Sequence, residues 1–310
     1  MNINDLVQRL LQEKTDHNKG QISTEVLKQF TNEMVQALNL KSRQEAEGLT
    51  PDQLYGLIYF LFSKRSVVQL NNLLQDETAL QSPLLKLCIS YLEIIQRENS
   101  IKLTKTDSLP VKIITELYGK GYIIDVMLTS ATNVRIEKDS TSIQLMKILS
   151  TQAGLTEIQT GKLSLTAKGI SLLNSPAKLL ILLTEKYFIK FAWSYFDFYE
   201  SRDAPQYGAG FILILLQKYG DQEREATFYS KKFIQAFPST ITEFVPLYGT
   251  PEKQFGHCFT LRTFQRGLNW MGLVETRETG TIRENNQQVW VKTTKLFDEL
   301  ISINTTKRKH

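Results

Sequence analysis

Along most of this chain apolar residues recur at helical spacing. Leu6, Leu10 and Leu11 share one face, as do Val26, Leu27, Phe30, Met34, Val35 and Leu38. The segment GLTPDQLYGLIYFLFS, residues 48–63, repeats the pattern with Leu54, Leu57, Ile58 and Leu61. It also carries its own start signal. Thr50 is suited to cap a helix, Pro51 to its first position, and Gln53 to complete a capping box. A further helix is predicted from about Pro83 to Arg97, with Leu84, Leu87, Cys88, Tyr91, Leu92 and Ile95 turned inward. These stripes read as core, and residues 1–100 as a helical N-terminal domain.

Beyond residue 100 the pattern changes period. IKLTKTDSLPVKIITELY, residues 101–118, places a short β-like run before a helix opened by Ser and Pro. In GLTEIQTGKLSLTAKGISLL, residues 154–173, strands at Leu155–Ile158 and Lys162–Thr166 flank a turn at Gln159–Gly161, and a helix follows. A helix over about Ile143–Ala153 precedes them. Helix, strand, wing, strand is the order of a winged-helix unit, so residues 101–175 are expected to form a winged-helix-like middle unit. Lys102-Leu103-Thr104 and the run from Lys162 to Thr166 share a kernel that points to internal similarity.

Residues 176–226 are read as aromatic-rich connecting helices, with one long helix over 176–200. Its aromatic residues, Tyr187, Phe188, Phe191, Trp193, Tyr195, Phe196, Phe198 and Tyr199, fit a helix packed on several sides. Interleaved with Lys186 and Lys190, they also fit a base-stacking platform. SRDAPQYGAG reads as a loop, and Phe211–Tyr219 as a buried helix. Residues 227–310 are expected to form a C-terminal winged-helix-like unit, with FPSTITEFVPLYGTPEKQFG an irregular insertion. The fold class predicted is mainly α with small β-hairpins.

Candidate chemistry concentrates in the last unit. At 100° per residue, Leu261, Phe264, Leu268 and Met271 form the core-facing stripe of a helix over Leu261–Met271. Arg262, Arg266 and Asn269 then lie on the opposite side, where such a helix enters a major groove. Arg suits guanine edges and phosphates, and Asn suits adenine. Arg283, in the wing, and Lys292, just beyond the second wing strand, are the expected phosphate contacts. Glu275, Glu278 and Glu284 in the same wing would repel phosphate. The equivalent helix of the middle unit offers Gln144, Lys147 and Thr151, which favours a structural role.

Charge adds a mild bias. Residues 1–100 hold 10 Lys and Arg against 12 Asp and Glu, and residues 101–310 hold 27 against 20, giving nets of −2 and +7. Two cysteines, Cys88 and Cys258, suit a reducing compartment, and the first residues lack the pattern of a signal peptide. FILILL is six residues long, too short to span a bilayer, so a cytoplasmic location is expected. Metal or nucleophilic chemistry finds little support. His257-Cys258 has no partner at ligand spacing, and no G-x-S-x-G or glycine-rich phosphate loop occurs. Asp197, Glu200 and Asp203 are the one carboxylate set that a metal-dependent nuclease would use. The expectation is a non-enzymatic chain without cofactor that binds double-stranded DNA in a regulatory role. The alternative is a protein-interaction or scaffold module that binds another chain or a second copy of itself.

Four phrases taken in order resemble an uncharacterised family of bacterial proteins built from helical and winged-helix segments. They are GLTPDQLYGLIYFLFS, IKLTKTDSLPVKIITELY, GKLSLTAKGISLL and GLVETRE…VWVKTTKLFDELI. The resemblance covers residues 48–303 and carries over no catalytic residue. It implies this architecture and a lean towards DNA or partner binding.

Overall fold

A computed structural model describes residues 24–125, 134–280 and 287–304. Helix α1, Thr24–Asn39, leans on α2, Pro51–Tyr59. The start of α2 is the capping box expected from sequence: Thr50 Oγ1 accepts from Gln53 N at 3.2 Å, and Gln53 Oε1 accepts from Thr50 N at 2.9 Å. Strand β1, Val68–Leu70, and helix α3, Asp76–Ala79, lead to α4, Pro83–Arg97, whose bounds match those predicted. Ser82 caps α4, and Leu84, Leu85, Leu87, Cys88, Tyr91, Leu92, Ile94 and Ile95 are all buried along it.

Two passages then follow the same order of elements. In the first, α4 is followed by β2, Ile101–Lys102, α5, Val111–Gly119, and α6, Thr141–Gln152. A hairpin of β3, Thr156–Gln159, and β4, Lys162–Leu165, closes it. The sheet order is β2-β4-β3, with Ile101 opposite Leu163 and Lys102 opposite Lys162. Helices α7, Ala167–Leu173, and α8, Pro176–Ile189, come next. The second passage runs α9, Ala209–Tyr219, β5, Arg224–Glu225, α10, Ala226–Ala236, and α11, Pro251–Phe259. A π-helix over Thr260–Leu268 and a hairpin of β6, Val274–Thr279, and β7, Gln288–Thr293, complete it. Its sheet order is β5-β7-β6, the same arrangement. In both, a two-residue strand entering from the first helix pairs with the second strand of the hairpin. The chain is therefore mainly α with small antiparallel sheets, as its pattern predicted. Helix α4, which lies before the sequence boundary at residue 100, packs on α5, α6, α7, α8 and β4 of the first passage.

Helix α9 is buried continuously from Ala209 to Leu216, as a helix apolar on all sides must be. It packs on α2, α10, β1 and the final strand β8, Ile301–Ile303, which follows α12, Lys295–Leu300. Strand β8 pairs antiparallel with β1, placing Val68 opposite Ile303, and Asn304 N donates to Val67 O. Among the described residues no helix is long and apolar enough to cross a membrane.

The predicted long helix over 176–200 stops at Ile189. Gln206, from the loop before α9, is the reason. Its Nε2 donates to Phe188 O and Phe191 O, and its Oε1 accepts from Trp193 N at 2.9 Å. These contacts satisfy carbonyls that a continuing helix would have used. Trp193 Nε1 also turns back to Tyr187 O at 3.1 Å. Tyr187, Phe188, Phe191 and Trp193 are buried against one another, with Tyr187 and Phe191 stacked at 5.6 Å, so this part of the aromatic run is core.

Candidate functional site

The segment expected to read a groove is not a regular α-helix with one open face. Over Thr260–Leu268 it is a π-helix, and Asn269 N reaches back five residues to Phe264 O at 3.0 Å. Gly267 permits this geometry. A Cβ there would sit 2.7 Å from Arg262 O and 3.0 Å from Tyr187 Oη. The widened turn changes which side chains share a face, and the seven residues from Arg262 to Leu268 are all buried. Leu261, assigned to the core by a 100° step, is only half-buried.

Arg262, expected to project outward, is 1% exposed. Its Nε and Nη2 donate to the two oxygens of Asp197 at 2.8 and 2.5 Å. Its Nη1 donates to Ser201 O at 2.8 Å and to Ala204 O. Burial works most strongly against the charge of this guanidinium, but the Asp197 hydrogen bonds and the nearby Cys258, Asp197 and Tyr199 together outweigh it and raise its pKa. Arg266 is 9% exposed, with Nη1 donating to Phe196 O at 2.8 Å. Burial lowers its pKa, and Asp197 and Asp125 partly oppose the change. Asp125 itself accepts from Ser140 Oγ at 2.7 Å and from Ser142 N at 3.1 Å at the start of α6. Burial raises the pKa of Asp125 against those hydrogen bonds. Two arginines assigned to a DNA face thus belong to a buried polar network of Asp197, Asp125 and main-chain carbonyls.

Of the other expected contacts, Asn269 is half-buried at the end of the π-helix, and Lys292 is exposed on β7 opposite Glu275. Arg283 lies outside the described residues. On β6, Glu278 accepts from Gln265 Nε2 at 2.6 Å and from Gln287 Nε2 at 2.9 Å. In the middle unit Lys147 donates to the Glu137 carboxylate at 3.2 Å and to Asp107 O, so it too is engaged internally.

The carboxylates Asp197, Glu200 and Asp203 do not converge. Asp197 holds Arg262, Glu200 accepts from Gln254 Nε2 at 2.9 Å, and Asp203 is exposed. Among the described residues no group of three or more His, Cys, Asp and Glu is placed to hold a metal ion. Cys258 is buried and His257 exposed.

A feature missed in sequence lies on the two loops beside this network. Ser201 Oγ donates to Glu243 Oε2 at 2.5 Å and Gln254 bonds Glu200, which ties residues 198–204 to residues 237–254. Phe198 is fully exposed, and on the second loop Val245 is 76% exposed, with Leu247 and Tyr248 each at 94%. Buried Phe244, 5.5 Å from the Phe255 ring, roots that loop from below. The signal in the sequence was an apolar V-P-L-Y inside an otherwise irregular Pro- and Gly-rich stretch.

Comparison of the chain with protein-family models, with curated proteins and with solved structures finds no match. The family resemblance therefore rests on the phrases that carry it.

Proposed function

We propose that this chain is a non-enzymatic protein-interaction module whose contact surface includes the loops carrying Phe198 and Val245–Tyr248. The observation that carries the reading is the near-complete exposure of Phe198, Leu247 and Tyr248 on loops that hydrogen bonds and a buried Phe244 hold in place. Large apolar side chains held out on fixed loops mark partner surfaces more often than they serve the monomer. Burial of Arg262 and Arg266 removes the strongest contacts of the DNA reading.

The test compares the wild-type chain with a Phe198→Ser/Leu247→Ser/Tyr248→Ser variant in lysate pull-downs and light scattering. A specific partner, or a second copy, held by the wild type and lost by the variant is the expected result. A wild-type monomer that retains nothing sinks the reading.

DNA binding keeps Asn269, Arg283 and Lys292 as candidate contacts, and anisotropy with mixed duplex DNA from about 50 to 200 mM salt decides it. The expected result is no binding across that range. Steeply salt-dependent binding whose slope falls by about one phosphate contact on Lys292→Ala would restore the DNA reading.

A further inference from the structure

A cavity of about 410 Å³ opens where the C-terminal ends of α2 and α8 meet the loop leading into α9. Its apolar lining includes Leu57, Tyr59, Phe188, Phe191 and Tyr207. Its volume is near the lower end of the range for small-ligand sites, roughly 300–1,000 Å³. Most polar groups at its wall are already committed. Gln206 is used by Phe188 O, Phe191 O and Trp193 N, and the Tyr207 hydroxyl is hydrogen-bonded to Thr240. The Phe60 ring is covered by the Arg65 guanidinium at 4.0 Å. Two charged lining residues remain, Lys190 and Asp203, both exposed and neither in an ion pair among the described residues.

The electrostatics of this cavity have a direction. At the end of α8 the carbonyls of Phe188 and Phe191 are taken up by Gln206, so the direction comes from the lining side chains. Asp203 adds a carboxylate on the loop side, and aromatic faces attract an ammonium group. Among the described residues Lys190, at the end of α8, is the cation of the lining placed to meet an anionic group. We infer that the cavity binds a small zwitterion with an apolar body, an apolar α-amino acid. Its ammonium group lies towards Asp203, its carboxylate on Lys190, and its side chain against the exposed Tyr59 and Ile189 and the half-buried Tyr207. The site borders the proposed interaction surface, because Asp203 and Phe198 share one loop, but its lining includes neither Phe198 nor Val245–Tyr248, and it stands whether or not a protein docks there.

Titration calorimetry on the full chain tests it with four probes: L-phenylalanine, L-leucine, phenylethylamine and 3-phenylpropionate. Binding of the two amino acids below about 10 mM is expected, with affinity for the two singly charged probes lower by roughly tenfold or more. Asp203→Asn is expected to erase the advantage of the amine, and Lys190→Gln that of the carboxylate. Both positions are exposed, and unchanged melting temperatures verify that the variants fold. The Phe198→Ser/Leu247→Ser/Tyr248→Ser chain is expected to bind like wild type, which separates this site from the interaction surface. No heat from any probe at about 10 mM overturns the assignment. Equal binding of all four probes, or variants indistinguishable from wild type, also overturns it.

Discussion

Arg262→Met is expected to lower the unfolding free energy by about 3–5 kcal/mol, the usual cost of breaking a buried ion pair by removing one partner. The Asp197 carboxylate, 5% exposed, would lose both of its guanidinium hydrogen bonds at once. Ser201 O and Ala204 O would lose their donor as well. Arg262→Lys is expected to rescue little, because an ammonium group does not reproduce the planar fork that serves one carboxylate and two carbonyls. The double variant Arg262→Met/Asp197→Leu is expected to be less unstable than the sum of the single changes, since it leaves no charge behind. Urea unfolding monitored by tryptophan fluorescence measures all five chains, wild type and Asp197→Leu included. A loss under about 1 kcal/mol for Arg262→Met would show that the pair is dispensable. The same variant separates the roles proposed for this residue, because a groove contact would leave stability intact and change only DNA affinity.

The second large effect is tied to pH. Glu47 ends the 3₁₀ turn Gln44–Ala46 in a left-handed conformation, φ 59°, and its carboxylate is 8% exposed. Lys218 Nζ lies 2.5 Å away on α9, Lys232 Nζ 2.6 Å away on α10, and the Tyr219 hydroxyl donates at 2.7 Å. Burial alone would raise the pKa of this carboxyl, but the hydrogen bonds from Lys218, Lys232 and Tyr219 outweigh it and hold it down to about 2. A depressed carboxylate contributes stability above its unfolded value, near 4.5, and loses it as pH falls towards about 2. Glu47→Gln is therefore expected to cost about 2 kcal/mol at neutral pH, a figure reduced because Lys218 is half-exposed and screened by solvent. The gap between the two chains should close through the window from about pH 4.5 to 2. Urea melts at several pH values measure it, and a gap that stays constant across that window would contradict the assignment.

Much of the fold was legible because the signals were local. Thr50, Pro51 and Gln53 announce α2 within four residues, and the spacing of Leu84 to Ile95 delimits α4. The β3–β4 hairpin is set by its own turn and alternation, and falls within a residue of its predicted ends. What escaped depends on partners far apart in the chain. Arg262 reads as a surface arginine until Asp197, Ser201 and Ala204 are brought to it by a loop that no periodicity describes. The end of α8 is fixed by Gln206, whose side chain substitutes for the next helical turn. The π-helix turns on Gly267, which in sequence looks like an ordinary weak point in an amphipathic helix. A 100° projection sorts side chains by face but cannot show that the segment from Phe196 to Ala204 covers the face carrying Arg262 and Arg266.

The pairing of β1 with β8 has a consequence for the order in which the molecule is made. During synthesis from the N-terminus, Val68–Leu70 emerges long before Ile301–Ile303, so β1 must wait with its edge unpaired while nearly all of the remaining chain is added. Helices α4 to α8 pack chiefly on one another and on strands that precede residue 190, so they are free to form in that interval. Closure comes last, when α12 and β8 supply Leu300 O to Asn71 N and Asn304 N to Val67 O. A chain halted before residue 301 would present an open apolar strand edge, the kind of surface on which nascent chains associate with one another.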